Sequence, residues 1–199
     1  MSNLQNLILD HNRIEVIGEH AFRGLEHSLK ILNLTRNRLQ SVKPYHFSYL
    51  STLRNLFLSS NQISSVSPDA FSRLTNIVYI ELADNCIFTL APSVFHQLGQ
   101  LGWLDLSHNT ISTFVSGRGE SIFRDLTSMM HLNLNHNRLA KLHAGSFSSM
   151  PLLLRLELSD NLINEIDMRC FAELTNLYAL KLDYNRVKVV KVSIYNNTD

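Results

Sequence analysis

The stretch "LGWLDLSHNTI", Leu101 to Ile111, decides the fold. Leu104 and Leu106 alternate with Trp103, Asp105 and Ser107, the pattern of a short strand with one buried face. Asn109 follows where such a strand must turn, and Ile111 resumes the apolar series. Trp103 and Asp105 occupy the gaps and point away from the leucines.

The string recurs along the chain as LxxLxLxxNxL, with Ile, Val or Met at some leucine positions. Its asparagine falls at Asn12, Asn37, Asn61, Asn85, Asn109, Asn137, Asn161 and Asn185. Phe22, Phe47, Phe71, Phe95, Phe147 and Phe171 each lie ten residues after an asparagine, and Phe123 lies fourteen after. A leucine, or Met150 once, comes three residues after each of these phenylalanines. Periods of this length mark stacked architectures. One such unit cannot close a core alone, so units stack and their strands form a parallel sheet. Each asparagine amide then serves the backbone groups that its turn leaves unpaired. Phenylalanine at a fixed offset fills the far side.

The pattern resembles the typical 24-residue class of leucine-rich repeats, as in the ectodomains of Toll receptors, chaoptin-like adhesion proteins and receptors that combine such repeats with immunoglobulin domains. The resemblance covers residues 4 to about 190. It implies an α/β solenoid: a curved right-handed horseshoe of eight repeats, with a parallel β-sheet on the concave face and little regular helix on the convex side. The hand follows from the crossover rule for parallel strands. Repeats begin near 4, 29, 53, 77, 101, 129, 153 and 177, and we read 1–199 as a single repeat domain. Cysteine-rich caps, usual in the family, are missing at both ends, which suggests a fragment of a longer array. Val187, Val189, Val192 and Ile194 alternate in the tail.

Composition narrows the function classes. The chain has 18 basic and 17 acidic residues and no long basic run, so nothing marks it for nucleic acid or anionic lipid. No apolar run is long enough to span a bilayer. Nucleophile elbows, phosphate loops and zinc-protease motifs do not occur, and we assign neither an enzyme activity nor a cofactor. Two cysteines, Cys86 and Cys170, lie three repeats apart, roughly 14 Å of stacking, too far for a disulfide.

If the leucines and asparagines are structural, information sits in the free positions. The third position reads Asn6, Ile31, Asn55, Tyr79, Trp103, His131, Arg155 and Ala179; the fifth reads Ile8, Asn33, Phe57, Glu81, Asp105, Asn133, Glu157 and Lys181. We expect a partner-binding surface of Phe57, Tyr79, Glu81, Trp103, Asp105, His131, Arg155 and Glu157 on the concave face, because solvent-facing aromatics beside fixed charges are typical binding hot spots. The expected partner is a protein ligand or receptor, with a homodimer as a further possibility and no direct membrane insertion. The eighth position holds Asp84, His108, His136 and Asp160 on successive repeats. Parallel side chains do not converge on a point, so no metal is assigned there.

Asn33-Leu-Thr35 and Asn196-Asn-Thr198 are glycosylation sequons. Gly117 and Gly119 around Arg118 suggest a flexible bulge in the longer fifth repeat. The resemblance implies an extracellular or cell-surface recognition module, of receptor or adhesion type. A cytoplasmic scaffold with the same fold is the alternative, and an inert spacer a third class.

Overall fold

In a computed structural model describing residues 3–115 and 121–188, the third to fifth positions of every repeat form a three-residue strand. These strands are Asn6–Ile8, Ile31–Asn33, Asn55–Phe57, Tyr79–Glu81, Trp103–Asp105, His131–Asn133, Arg155–Glu157 and Ala179–Lys181. They pair in parallel, each with the next, in one eight-stranded sheet. The register is constant, so Tyr79 faces Trp103 and Trp103 faces His131. We call the repeats rungs one to eight. The central residue of each strand points inward, and from rung two to rung seven it is fully buried.

Behind the sheet the phenylalanines form a continuous spine. Consecutive rings from Phe22 to Phe171 lie 6.0 to 6.4 Å apart and within 17° of parallel. Phe123 keeps its place in this spine although its repeat is longer. Phe114 tilts against both Phe123 and Phe147, at 5.4 and 5.2 Å, and a bridge between Val115 and Ser121 closes the neck of the insertion. Gly117, Arg118 and Gly119 lie outside the described residues, as do Val189, Val192, Ile194 and Asn196.

The asparagines form the ladder their spacing implies. The Asn109 amide donates to the carbonyls of Leu82, Leu106 and Ser107 at 3.0 to 3.1 Å, and its Oδ1 accepts from the Ile87 N–H at 2.9 Å. Each of these bonds within or back to the preceding rung satisfies a backbone group buried by the turn. Asn12, in the first rung, bonds among the described residues to the carbonyls of Leu9 and Asp10.

The residue before each asparagine carries a further constraint. His11, Arg36, Ser60, Asp84, His108, His136, Asp160 and Tyr184 all have φ of 53 to 55°. The tight bend needs a left-handed residue, which side chains other than Gly, Asn and Asp adopt at a cost. Its N–H bonds forward to the next rung, as His108 does to the Asn135 carbonyl at 3.0 Å.

On the descending side short strands pair in two places, Ser41–Val42 with Ser65–Val66 and Lys141–Leu142 with Glu165–Ile166. Regular helix is confined, among the described residues, to one 3-10 turn at Met168–Phe171. Asp167 caps it by accepting from the Arg169 N–H. Paired also to the Arg169 guanidinium, the Asp167 carboxyl falls to about 2.

Candidate functional site

The strand geometry turns two side chains of each rung outward, and a third joins them. At the entry to every strand, one carbonyl accepts from two successive N–H groups of the next rung: Val78 O takes Gly102 N–H at 3.0 Å and Trp103 N–H at 3.1 Å. This doubled bond breaks the strict alternation, so the second-position side chain also faces solvent. In rungs four to eight that column reads Val78, Gly102, Met130, Leu154 and Tyr178. Its four side chains are exposed, from 38% at Leu154 to 70% at Tyr178. A Cβ on Gly102 would sit 3.3 Å from the Met130 methyl, so the glycine leaves room for Met130 to lie across it. Reading the second column as well as the third and fifth would have found this stripe in the sequence.

The predicted concave residues are brought together, though not as independent contacts. Phe57, Tyr79, Trp103 and His131 stack in one row across four rungs. Ring centroids are 5.1 Å apart from Phe57 to Tyr79, 5.7 Å from Tyr79 to Trp103, and 3.8 Å from Trp103 to His131. Only Trp103 counts as exposed, at 37%; the others are half-buried by their neighbours. The row continues with Arg155, whose guanidinium lies 6.0 Å from the Tyr178 ring. Tyr178 was missed because the second position was not read as outward-facing.

The acids depart from the expectation of free surface charges. Glu81 accepts from the Tyr79 hydroxyl at 3.1 Å. Burial and the nearby Glu81 and Asp105 carboxylates push the Tyr79 phenol well above its ordinary value. Asp105 accepts from the Ser107 N–H at 2.8 Å and the Asn133 amide at 3.1 Å. Glu157 is buried, with 7% exposure. It accepts from Asn135 at 2.8 Å and from Lys181 at 3.4 Å, and lies 3.5 Å from His131 and 3.7 Å from Arg155. A carboxylate can be buried when cations and donors surround it on all sides. Glu157 therefore organises the face from beneath instead of meeting solvent directly. Burial lowers the His131 pKa below its ordinary value, partly opposed by the Glu157 charge. The ring against Trp103 is therefore a neutral imidazole at neutral pH.

Asn33 ends its strand, half-buried, with its Oδ1 accepting from the Thr35 N–H at 2.9 Å. Its Nδ2 has no acceptor among the described residues. Cys86 is exposed and Cys170 buried, both as free thiols. Burial raises the Cys170 thiol to about 12. His108 and His136 stack at 4.0 Å, and His136 lies 3.5 Å from Asp160. Among the described residues, no three His, Cys, Asp or Glu side chains are placed to hold a metal ion. No helix there is long and apolar enough to cross a membrane.

The chain matches the leucine rich repeat family over residues 2–63, 27–87, 51–111 and 119–187. Leucine-rich repeat-containing protein 3B of Danio rerio is 49% identical over 47 residues, 24% of this chain and 18% of that protein. Osteomodulin of Bos taurus is 32% identical over 77 residues, 39% of this chain and 18% of that protein. The chain thus matches less than a fifth of the length of either curated relative. Among solved structures, a TLR13–ssRNA13 complex superposes with a TM-score of 0.76 at 29% identity, covering 92% of this chain and 24% of that one. A Leptospira interrogans leucine-rich repeat protein superposes with a TM-score of 0.82 at 24% identity, over 95% of this chain and 45% of that one. The last likeness concerns the fold alone.

Proposed function

The chain belongs to the leucine-rich repeat family, and on that premise we propose that it acts as a single non-enzymatic recognition domain that binds a protein on its concave face. The observation that carries this reading is the row Phe57–Tyr79–Trp103–His131 beside the apolar stripe of Val78, Met130, Leu154 and Tyr178. Apolar and aromatic groups with an arginine beside them are the composition of interface hot spots. The stacked rungs hold them rigidly, so binding costs little ordering entropy.

The stacking also bears on what kind of partner fits. Each interior ring of the row spends its faces on its neighbours and offers mainly its edge. Bases and sugars are held by free aromatic faces, and single-stranded nucleic acid further needs a basic track. Here Glu81 and Asp105 lie in the middle of the face, and the net charge is +1. RNA is the ligand in the TLR13 complex; these features favour a protein for this chain. We place the domain at the cell surface or outside the cell, with Asn33 and Asn196 as glycan acceptors. The free thiols of Cys86 and Cys170 favour a cytoplasmic scaffold as the second reading. A glycosidase-sensitive mass shift in protein from a secretory host supports the first reading; unmodified protein supports the second.

The binding test is a screen against arrayed secreted proteins and membrane-protein ectodomains, with single-stranded RNA oligonucleotides as a second arm. A protein ligand that binds Trp103→Ala about tenfold or more weaker, with an unchanged circular dichroism spectrum, supports the proposal. A ligand indifferent to Trp103→Ala and Tyr79→Ala, or specific RNA binding in its place, overturns it.

A further inference from the structure

The descending side of the solenoid carries a second surface, distinct from the concave face. From the tenth to the sixteenth position, rungs three to five read "QISSVSP" (62–68), "CIFTLAP" (86–92) and "TISTFV" (110–115). None of these residues is Asp, Glu, Lys, Arg or His. The rungs on either side are charged at the same positions, with Arg38, Lys43, Arg138, Lys141 and Glu165. Two of these rim cations are paired within the chain, Arg38 to Glu15 at 3.5 Å and Lys141 to Glu165 at 2.7 Å.

Inside this neutral window the backbone ladder thins: the Cys86 and Thr110 N–H groups still bond to Ile63 and Ile87, but the bonds further along lapse. Rung three continues it from rung two, with the Ser64 N–H on Gln40 O at 3.0 Å and the Ser67 N–H on Val42 O at 2.9 Å. Rungs six and seven repeat the same two bonds through Asn164 and Asp167. Among the described residues, the equivalent N–H groups of Phe88 and Ala91 make no such bond, and the outer edge of Ser65–Val66 has no strand partner. A cavity of about 490 Å³ opens there, lined by Val66, Leu90, Pro92 and Phe114, with hydroxyls of Ser65 and Thr113 at its rim. Beside it stands Phe88, 58% exposed on a chain whose other phenyl rings are largely packed inside. The exposed Cys86 thiol is two residues away along the chain.

We propose that this face binds a second copy of the chain around a two-fold axis, with Phe88 of each copy entering the cavity of the other. The argument is symmetry and charge. A two-fold interface brings one patch against itself, so a knob and a hole side by side on that patch satisfy each other twice. Near the axis every charge also meets its own copy, and like charges repel; a patch free of charge, with Arg38 and Lys141 at its rim already paired, lessens that penalty. The unpaired edge of Ser65–Val66 and the free N–H groups of rung four supply further bonds to a partner backbone. The neutral window spans three rungs by seven residues, roughly 10–15 Å by 20 Å. That is well short of the roughly 800 Å² per partner of a standard stable interface. The dimer is accordingly weak and transient.

Sedimentation velocity from low to high micromolar concentration tests this directly. The wild-type chain shifts from monomer to dimer, and Phe88→Glu stays monomeric over the whole range. Ser64→Arg, an exposed change at the cavity rim, does the same without touching the apolar core. A flexible bismaleimide links the wild-type dimer through Cys86, and Cys86→Ser abolishes the product; Cys170, buried and unreactive, serves as the internal control. A wild-type chain that sediments as a monomer throughout overturns the proposal. So does a dimer that survives both Phe88→Glu and Ser64→Arg. Either outcome leaves concave-face binding untouched, because Trp103 lies on the other surface.

Discussion

The Trp103 indole and the His131 imidazole lie face to face between rungs five and six, centroids 3.8 Å apart and 27° from parallel. Trp103 is the chain's single tryptophan, so its emission reports on its two stacking neighbours, Tyr79 and His131. A protonated imidazole quenches an adjacent indole. Because burial lowers the His131 pKa, the fall in fluorescence should be centred below 6.5, the ordinary histidine value. His131→Gln should abolish the transition. A transition centred above 6.5 would show that Glu157, not burial, governs the ring.

Stability should follow the same ring. A histidine with a lowered folded pKa binds fewer protons folded than unfolded across the interval between the two values. The unfolding free energy therefore rises with pH in that interval and is lost as the pH drops below 6.5. His46, lowered by burial and by Lys43, acts in the same direction. Urea midpoints measured across this pH range should decline less steeply in His46→Gln/His131→Gln than in the wild type.

Asn109→Ala removes one amide and leaves the buried Ile87 N–H unpaired, while the carbonyls of Leu82, Leu106 and Ser107 keep the Asn85 amide, the Asn137 amide and the Asp84 N–H. Leaving a buried polar group unpaired costs about 1–3 kcal/mol, and a loss of that size is expected. Asn12→Ala breaks only exposed bonds and should cost less than about 1 kcal/mol. Equilibrium urea unfolding of the two variants makes the comparison.

Phe95→Ala opens the spine between Phe71 and Phe123, both fully buried. A loss of about 3–5 kcal/mol is expected. Phe171→Ala, at a half-buried site with a single spine neighbour, should lose less. Differential scanning calorimetry distinguishes them by the fall in Tm.

Asp84 holds φ at 54°. Asp84→Val places a β-branched residue in the left-handed region and should cost about 1–2 kcal/mol. Asp84→Gly relieves the same constraint and should be neutral or slightly stabilising. An equal loss in both variants, read by chemical denaturation, would show that the Asp84 side chain matters more than its backbone.

The repeat made most of this fold legible. Leu104, Leu106, Asn109 and the phenylalanine offset each encode a local requirement, and stacking repeats those requirements at every rung. Burial, the asparagine ladder and the parallel sheet follow from spacing because each rung contacts only its neighbours. The third and fifth columns were likewise readable, since strand alternation alone turns Tyr79, Trp103, Phe57 and Asp105 outward. Tertiary structure decided the rest. Glu157 looked like a surface charge, yet Asn135, Lys181 and the side chains of His131 and Arg155 close around it. Val78, Met130, Leu154 and Tyr178 reach solvent because one carbonyl takes two N–H donors at each strand entry; the column itself is readable from the repeat, but strict strand alternation turns it inward. Trp103 spends its faces on Tyr79 and His131, residues 24 and 28 positions away. Spacing says which way a side chain points; what it meets there depends on contacts between rungs distant in sequence.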